Sequence, residues 1–355
     1  MTAEAVFWAS ALFVFYVYCG YPLLLAVLQR MAGRRVAKAY WEPSVSVIIA
    51  AHNERGTIER KLRNCLDLDY PKDRLQIIVS LDGCTDGTEE IADSYRWQGI
   101  EVVRSARHRG KAAAINRAVL TATGEILFFT DARQRLEPRA VRELVANFSD
   151  GTVGAATGEL ILQAPDARES SDGVGLYWRY EKKLRAMESR IHSTVGATGA
   201  IYAVRRRLYK PIPADMILDD VAVPMRLVLG GWRSVFDPAA RAYDRISDSL
   251  DLEYGRKVRT LAGNYQLLAR MPELALPWRN PVWLQFVSHK LGRLAAPYFL
   301  AALLVSNMFL ARGLYMIPFI CQAVWYAAAA LGALAVRRTA AAPVAGEVVP
   351  GGKHI

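Results

Sequence analysis

The sequence predicts an α/β protein in which a mostly parallel sheet, covered by helices on both faces, is flanked by membrane-spanning helices. Strand-like and helix-like patterns alternate through residues 44–270, and three long stretches without charge lie outside that block. Of the 355 residues, 52% are hydrophobic, which excludes a wholly disordered chain. Four cysteines without zinc-finger spacing exclude a disulfide scaffold, so we expect all four to be reduced.

Three uncharged stretches indicate the membrane spans. They run over 5–28, 294–311 and 313–336. Each is close to or above the roughly 20 apolar residues that cross a bilayer core. The first is too long for a signal peptide, and its basic residues follow it rather than precede it. We therefore predict a transmembrane helix at 1–29, a basic linker at 30–43, transmembrane helices two and three within 294–336, and a disordered tail at 337–355.

Basic residues beside the spans predict their orientation. Arg30, Arg34, Arg35 and Lys38 follow the first span. Lys290 and Arg293 precede the second, and Arg337 and Arg338 follow the third. Only Arg312 lies between the second and third spans. Because Lys and Arg concentrate on the cytoplasmic side, we expect the N-terminus outside and residues 30–293 and the C-terminus inside, at the inner (plasma) membrane. The formal charge of +11 suits anionic membrane lipids, and no nucleic-acid-binding signature is present, so we expect no nucleic-acid partner.

A further membrane contact is predicted over 271–293. Within it, the segment PVWLQFVSHKLGRL (281–294) carries apolar residues at helical spacing, with Lys290 and Arg293 beside the stripe. This pattern is typical of an amphipathic helix that lies in the membrane interface. The alternative interpretation is the cytoplasmic half of a tilted span.

Residues 44–270 contain buried-strand patterns that are separated by helical ones. The strands are predicted at 45–51, 75–81, 100–104 and 125–130, and the helices at 57–66, 86–97 and 110–121. Such alternation is typical of a mostly parallel sheet. Ligands of such sheets bind beyond the carboxyl ends of the strands.

Acidic residues stand at those carboxyl ends. Glu54 follows the first strand, Asp82 the second and Asp131 the fourth, while G-x-G-x-x-G and P-loop motifs are missing from the sequence. Each acid alone could serve a turn or a helix cap. Adjacent strand ends would instead bring all three to one crevice. Asp86, with Glu89, is assigned to a helix cap.

Four segments in order, SVIIAAHNE, IIVSLDGCTDGT, RGKAAAINRA and ILFFTDAR, resemble the first half of a family 2 glycosyltransferase. Three later segments resemble its acceptor-side, catalytic-base and Gln-x-x-Arg-Trp regions: GATGAIYAVRR (196–206), ILDDVAVPMRL (217–227) and YGRKVRTLAGN (254–264). The resemblance is to the membrane polysaccharide synthase branch and covers about 44–270. It implies the GT-A fold, a nucleotide-sugar donor and inversion at the anomeric centre.

The resemblance assigns the donor side of the site. Asp131 matches the first acid of the D-x-D motif and would hold Mg²⁺ or Mn²⁺, which prefer oxygen ligands. Arg133 replaces the second acid and would add positive charge. Glu54 and Asp82 would contact the nucleoside, and Lys111 would lie near the nucleotide. The metal would stabilise the diphosphate leaving group as a Lewis acid.

The resemblance also assigns the acceptor side. It makes Asp220 the base that takes the acceptor's proton and Asp219 its neighbour, and repulsion between the two carboxylates is expected to raise one pKa. Arg256 and Arg259, three residues apart on a helix, would close over the diphosphate. Thr260 stands where processive synthases have Trp, and only two spans follow this domain. We therefore expect one or a few sugars, from a UDP-sugar, to be added to a membrane-associated or lipid-linked glycan.

Two other functions remain open from the sequence. One is an enzyme that moves a sugar onto a polyprenyl phosphate. The other is a catalytically silent subunit that binds sugar nucleotides within a polysaccharide assembly. The complete set of Asp131, Asp220 and Arg259 argues against the silent subunit.

The predicted orientation can be tested with a reporter fused after Gly352. The fusion should report a cytoplasmic location, because Lys and Arg lie on that side of the third span. A matched fusion after Arg312, in the turn between the second and third spans, should report the opposite side. A periplasmic signal after Gly352 would mean that one of these two spans does not cross the membrane.

Overall fold

The computed structural model describes residues 2–163, 172–245 and 250–341. Contacts divide the chain into two compact units, Val17–Leu294 and Met1–Tyr16 with Ala295–Ile355. The larger unit holds the sheet, and the smaller unit holds helical segments from both ends of the chain.

Helices account for most of the chain outside the sheet. They are α1 (Ala3–Phe15), α2 (Tyr21–Ala32), α3 (Ile58–Leu66), α4 (Thr88–Asp93), α5 (Lys111–Thr121), α6 (Ala140–Val145), α7 (Asp172–Ile191), α8 (Asp219–Leu229), α9 (Leu250–Arg270), α10 (Trp283–Gln285), α11 (Gly292–Leu310) and α12 (Met316–Ala341). The predicted helices at 57–66 and 110–121 are confirmed as α3 and α5. The helix predicted at 86–97 is shorter and ends at Asp93, where a short 3₁₀ turn follows.

The strands form one mixed sheet. They are β1 (Val45–Ala51), β2 (Leu75–Asp82), β3 (Ile100–Ser105), β4 (Ile126–Asp131), β5 (Arg135–Leu136), β6 (Val153–Gln163), β7 (Tyr202–Arg205) and β8 (Arg233–Arg245). Their spatial order is β3-β2-β1-β4-β7-β6-β8-β5. The four predicted strands, β1 to β4, pair in parallel, as do β6 and β8. The antiparallel pairs are β4 with β7, β6 with β7 and β5 with β8.

Hydrophobic residues on both faces of β1 explain why this strand is central. Val47 and Ile49 pack into the core cluster on one side of the sheet, and Ile48 packs into the cluster on the other. Successive side chains of a strand point to opposite faces, so a continuous apolar run suits a sheet that is covered on both sides. The predicted α/β class with a mostly parallel sheet is confirmed.

The register of the parallel strands sets the position of the site. Ala50 of β1 lies opposite Asp131 of β4, and Ala51 lies opposite Leu81 of β2. The three strands therefore end at one edge of the sheet. The residues that follow β1 and β2 consequently lie beside Asp131.

Three helical segments are long and apolar enough to cross a membrane among the described residues. They are Ala3–Ala32, Trp283–Leu310 and Gly313–Leu334. The helix of the third segment continues to Ala341, so the prediction of a tail beginning at 337 is wrong at its start. The alanine-rich sequence after Arg338 carries no helix breaker before Pro343. The remainder of the predicted tail, 342–355, lies outside the described residues.

The separate interfacial helix predicted over 271–293 is also not what the structure contains. From Trp283 the chain forms one continuous helical segment to Leu310. The basic face of its first turns packs against α7: His289 Nδ1 lies 2.8 Å from Glu188 Oε1, and Arg293 Nη1 lies 2.6 Å from Glu181 Oε2. His289 and Arg293 therefore have protein partners. The continuous helix agrees with the alternative interpretation, the first part of a span, and contact of this segment with lipid stays a prediction.

Candidate active site

A cavity of about 820 Å³ opens at the edge where β1, β2 and β4 end. Every residue that the sequence proposed for the site lines it: Glu54, Asp82, Lys111, Asp131, Arg133, Asp219, Asp220, Arg256 and Arg259. The wall also contains residues that were not proposed: Ala50, Ala51, His52, His108, Gly110, Ala114, Ala132, Gln134, Leu160, Thr198, Gly199, Ala200, Ile217, Leu218 and Thr260. Residues from distant parts of the sequence thus share one concave surface, as binding sites require.

The two adjacent acids differ in their surroundings. Asp219 and Asp220 begin α8, where carboxylates complement the positive end of the helix dipole. Asp219 is only 2% exposed, and the Tyr202 hydroxyl lies 3.3 Å from its Oδ2. Asp220 is less buried, and its Oδ2 accepts a hydrogen bond of 3.1 Å from the Gly199 backbone N–H. Asp220 therefore presents its carboxylate to the cavity, whereas Asp219 lies behind it.

Burial changes the protonation of Asp219. Burial, helped by the negative charges of Asp220 and Asp131 and opposed by Lys111, raises the pKa of Asp219 to about 6. A buried carboxylate loses hydration, which disfavours its charged form. The sequence predicted a raised pKa for one member of the pair, and the structure assigns that rise to Asp219.

Lys111 links the acids of the two halves of the site. Its ammonium lies 2.8 Å from Asp131 Oδ1 and 3.3 Å from Asp219 Oδ1. Burial alone lowers the pKa of Lys111, but the carboxylates of Asp131, Asp219 and Asp220 outweigh that effect and raise it. Lys111 is therefore charged and partly neutralises the acidic cluster.

Gly199 allows this convergence. A Cβ at this position would lie 3.3 Å from Lys111 Nζ and 3.5 Å from Oδ2 of both Asp131 and Asp220. The distance to Lys111 Nζ is tight, whereas the two carboxylate distances are ordinary van der Waals contacts. The base candidate and the metal-ligand candidate thus both lie close to the same backbone position.

Asp82 has a different environment from the one expected for a free nucleoside contact. Its Oδ2 accepts hydrogen bonds from the backbone N–H groups of Arg109 and Gly110, at 2.9 and 2.7 Å, and lies 2.9 Å from His108 Nδ1. Its Oδ1 lies 3.3 Å from Arg117 Nη2. The carboxylate thus holds the loop before α5 and orients His108. The ring centroids of His108 and His52 are 3.9 Å apart.

Arg133 does not stand alone at the cavity wall. Its Nη2 lies 2.7 Å from Oδ2 of Asp244, a mostly buried residue of β8, and Gln134 Nε2 donates to the same oxygen at 2.9 Å. The positive charge that the sequence assigned to the donor is therefore largely balanced by Asp244. Asp244 lies 111 positions after Arg133 in the numbering, so the sequence pattern around Arg133 could not have identified this partner.

Lys61 is a charged residue near the site that the sequence reasoning missed. It is 2% exposed, and its ammonium donates to Thr130 Oγ1 at 2.6 Å and to the Gln134 carbonyl at 2.9 Å. Burial lowers the pKa of Lys61, while the negative charge of Asp131 opposes that shift. The sequence did contain a signal for the burial of Lys61, because this residue lies at helical spacing from Ile58 and Cys65 on the buried face of α3.

Glu54, before α3, and two arginines on α9 complete the wall. Glu54 Oε2 accepts a hydrogen bond from Thr57 Oγ1, which fixes this carboxylate at the start of α3. Arg256 Nη1 lies 3.8 Å from Glu253 Oε2, a weak contact on one helix face. Arg259 lines the cavity from the same helix.

A divalent metal fits this site only with ligands from a substrate. Among the described residues, no group of three His, Cys, Asp or Glu side chains is placed to hold a metal ion. Asp131 offers one half-exposed carboxylate at the cavity. Mg²⁺ sites are often completed by one or two carboxylates together with substrate phosphates. The donor set is thus compatible with a metal that arrives with a diphosphate.

Residues 46–212 match glycosyl transferase family 2. These residues therefore form a family 2 glycosyltransferase domain. The poly-beta-1,6-N-acetyl-D-glucosamine synthase of Staphylococcus aureus (strain MSSA476) is 28% identical to this glycosyltransferase over 236 residues. The synthase of the same name from Staphylococcus epidermidis is 27% identical over 236 residues. Each alignment covers 64% of this chain and 56% of the relative, so the chain spans little more than half the length of these relatives.

A solved structure supports the fold of this glycosyltransferase. The mannosyltransferase from Pyrobaculum calidifontis, determined in complex with GDP-Man and Mn²⁺, superposes with a TM-score of 0.73 at 24% identity. The match covers 93% of this chain and 92% of that chain. The family, the enzyme class and the GT-A-type fold predicted from the sequence are therefore confirmed.

The raised pKa of Asp219 predicts a pH-dependent stability. Between the ordinary aspartate pKa of 3.8 and about 6, the folded protein retains a proton that the unfolded chain has released. Stability therefore falls as pH rises through this window and stays lower above it. Asp219→Asn removes this effect. The free energy of unfolding of Asp219→Asn minus that of wild type should therefore be larger at pH 8 than at pH 5 by about 1.4 kcal/mol, because about one pH unit of the window lies above pH 5.

The measurement is thermal unfolding of the detergent-solubilised wild type and Asp219→Asn at both pH values. The exposed residue Asp73, changed to Asn, is the control for the loss of a carboxylate outside the cavity. The same stability difference between wild type and Asp219→Asn at pH 5 and pH 8 would contradict the assignment.

Proposed function

We propose that this glycosyltransferase moves a sugar from a nucleotide-sugar, with a UDP-sugar as first candidate, to a membrane-associated or lipid-linked glycan, and inverts the anomeric centre. The observation that carries the proposal is the arrangement around Gly199. One oxygen of Asp131 and one of Asp220 lie 3.5 Å from the position that a Cβ of Gly199 would take. A donor held by Asp131 and an acceptor deprotonated by Asp220 can meet at this point.

The donor half of the proposal uses the strand ends. The nucleoside lies against the ends of β1 and β2, where Glu54 and Asp82 line the cavity together with His108. The diphosphate faces Asp131, whose carboxylate and the phosphate oxygens would hold Mg²⁺ or Mn²⁺. When bound, the metal supplies Lewis-acid stabilisation of the departing diphosphate.

Positive side chains support the departure of the diphosphate. Lys111 lies at the N-terminus of α5, and the N-terminal end of a helix also attracts phosphate. Arg256 and Arg259 line the cavity from α9, and a guanidinium can donate charge-assisted hydrogen bonds to phosphate. Arg133 contributes less than the sequence suggested, because Asp244 already binds its guanidinium.

Asp220 is the proposed base. The acceptor oxygen forms a bond to the anomeric carbon on the side opposite the diphosphate, and the bond from that carbon to the diphosphate oxygen breaks. The hydroxyl proton passes to the Asp220 carboxylate, which the Gly199 N–H orients. A single displacement of this kind inverts the anomeric centre. Asp219 contributes through its position behind Asp220 rather than by contact with the acceptor.

The membrane acceptor follows from the chain and its relatives. Three helical segments can cross a membrane by length and composition, and the curated relatives are named as synthases of a poly-β-1,6-linked N-acetylglucosamine. Thr260 lines the cavity where the processive synthases have Trp, which favours addition of one or a few sugars. We place the catalytic unit on the cytoplasmic side of the inner membrane.

The metal role of Asp131 predicts a loss of donor turnover. Asp131→Ala should abolish metal-dependent donor turnover, because this carboxylate is the metal's proposed protein ligand. The measurement is release of nucleoside diphosphate from UDP-, GDP- and dTDP-sugars with and without Mn²⁺. Asp73→Asn, at an exposed position outside the cavity, should retain wild-type turnover. An Asp131→Ala enzyme with near wild-type activity and a normal metal requirement would remove Asp131 from this role.

Replacing Asp220 by asparagine distinguishes a catalytic base from a residue with only a structural role. Asp220→Asn keeps the shape and an oxygen that can accept from the Gly199 N–H, but it removes the proton acceptor, so sugar transfer should fall by roughly 10²-fold or more. Donor affinity should change little, since the donor contacts are assigned to Glu54, Asp82 and Asp131. The matched change Asp219→Asn should reduce transfer less, because Asp219 does not face the acceptor.

The experiment measures transfer rate and donor dissociation constant for both asparagine variants after folding has been verified. A full transfer rate in Asp220→Asn would mean that Asp220 has only a structural role, in which it accepts the hydrogen bond from the Gly199 N–H. A defect explained entirely by weaker donor binding would likewise remove it from the catalytic role.

A further inference from the structure

The ammonium of Lys111 lies where a metal ion would need to approach Asp131. It is 2.8 Å from Asp131 Oδ1, and the same ammonium is 3.3 Å from Asp219 Oδ1. Divalent Mg²⁺ or Mn²⁺ would bind a carboxylate oxygen at about 2.1 Å. An ammonium and a divalent cation this close to one carboxylate repel each other strongly. Both cannot hold the same side of Asp131 at once.

The Lys111 ammonium has little room to move within the acidic cluster around Gly199. Lys111 Nζ, Asp131 Oδ2 and Asp220 Oδ2 all lie within 3.5 Å of the space that a side chain of Gly199 would fill. The ammonium thus balances three carboxylates at once. Lys61 cannot replace it, because its ammonium is buried and already donates to Thr130 Oγ1 and the Gln134 carbonyl.

From these contacts we infer that Lys111 is the counter-ion of Asp131 in the donor-free enzyme and that a divalent metal displaces it only when a nucleoside diphosphate binds. The inference rests on the proposed function, in which Asp131 holds the metal. The diphosphate supplies new oxygen partners for the lysine and further oxygen ligands for the metal. Lysine suits this exchange because it is a point charge on a flexible four-carbon chain.

The exchange makes metal and nucleotide binding mutually dependent. A nucleotide that draws Lys111 away from Asp131 increases metal affinity, and by linkage the metal increases nucleotide affinity by the same factor. Without nucleotide, the enzyme is protected against binding free divalent ions. The lysine would therefore be a positioning residue that sets the order in which metal and donor enter.

Mn²⁺ binding to the full, detergent-solubilised chain tests the inference. Free Mn²⁺ is quantified by electron paramagnetic resonance without nucleotide and with UDP or GDP, after correction for the Mn²⁺ that the nucleotide binds in solution. Wild type should bind Mn²⁺ at least about tenfold more tightly with the nucleotide than without it. Lys111→Met should bind Mn²⁺ about tenfold more tightly than wild type in the absence of nucleotide, and nucleotide should add much less.

Two matched variants isolate the position of the charge. Lys111→Arg keeps the positive charge, so it should retain weak nucleotide-free Mn²⁺ binding. Lys257→Met removes a positive charge from an exposed position of α9 and should leave Mn²⁺ affinity within about twofold of wild type. An equal gain in Lys257→Met and Lys111→Met would mean that overall charge, rather than competition at Asp131, controls metal binding, and would overturn the inference.

The outcomes separate this inference from the proposed function. If Asp131→Ala retains nucleotide-supported Mn²⁺ binding, Asp131 is not the ligand and the proposed metal role fails. If Asp131→Ala loses that binding but Lys111→Met leaves nucleotide-free affinity unchanged, only the competition by Lys111 fails. Should Lys111→Met not fold, wild type alone still decides: equally tight Mn²⁺ binding with and without nucleotide overturns the inference.

Discussion

The repulsion among three carboxylates in one cavity is the constraint on which the rest of the site depends. Asp131 comes from the end of β4, while Asp219 and Asp220 come from the start of α8. Their convergence is tolerated because Lys111 lies between them and the Gly199 N–H donates to Asp220. Burying charges without such partners would cost several kcal/mol. The positions of β4, α5 and α8 are therefore fixed relative to one another by charge as well as by packing.

The mixed sheet is what brings the two halves of the site together. The parallel strands β1, β2 and β4 deliver the donor-side acids to one edge through their aligned register. Gly199 lies just before the antiparallel strand β7, which pairs with β4. The hydrogen bond between the Ala197 N–H and the Asp220 carbonyl, at 2.7 Å, then ties this segment to α8. A donor and an acceptor can thus be held by neighbouring backbone segments.

A second polar cluster gives the larger unit its connection to the start of the second candidate span. Glu181 and Glu188 of α7 bind Arg293 and His289, and the Tyr21 hydroxyl donates to Glu188 at 2.7 Å. Buried charges with partners of opposite sign specify one packing arrangement, because each would be costly if left alone. Arg185 of α7 also donates to Thr198 Oγ1 at 2.5 Å, and Thr198 lines the cavity. The same helix therefore contacts both the polar cluster and the active-site wall.

The sequence by itself determined the strands, the edge of the sheet and the main acids of the site. Continuous apolar runs predicted β1 to β4, and the position of Glu54, Asp82 and Asp131 directly after strands predicted their convergence, because these are local signals. Tertiary structure alone decided which partners those charges have. Asp244 reaches Arg133 from β8, and Glu181 of α7 binds Arg293. Such pairings join segments far apart in sequence, so no local pattern records them.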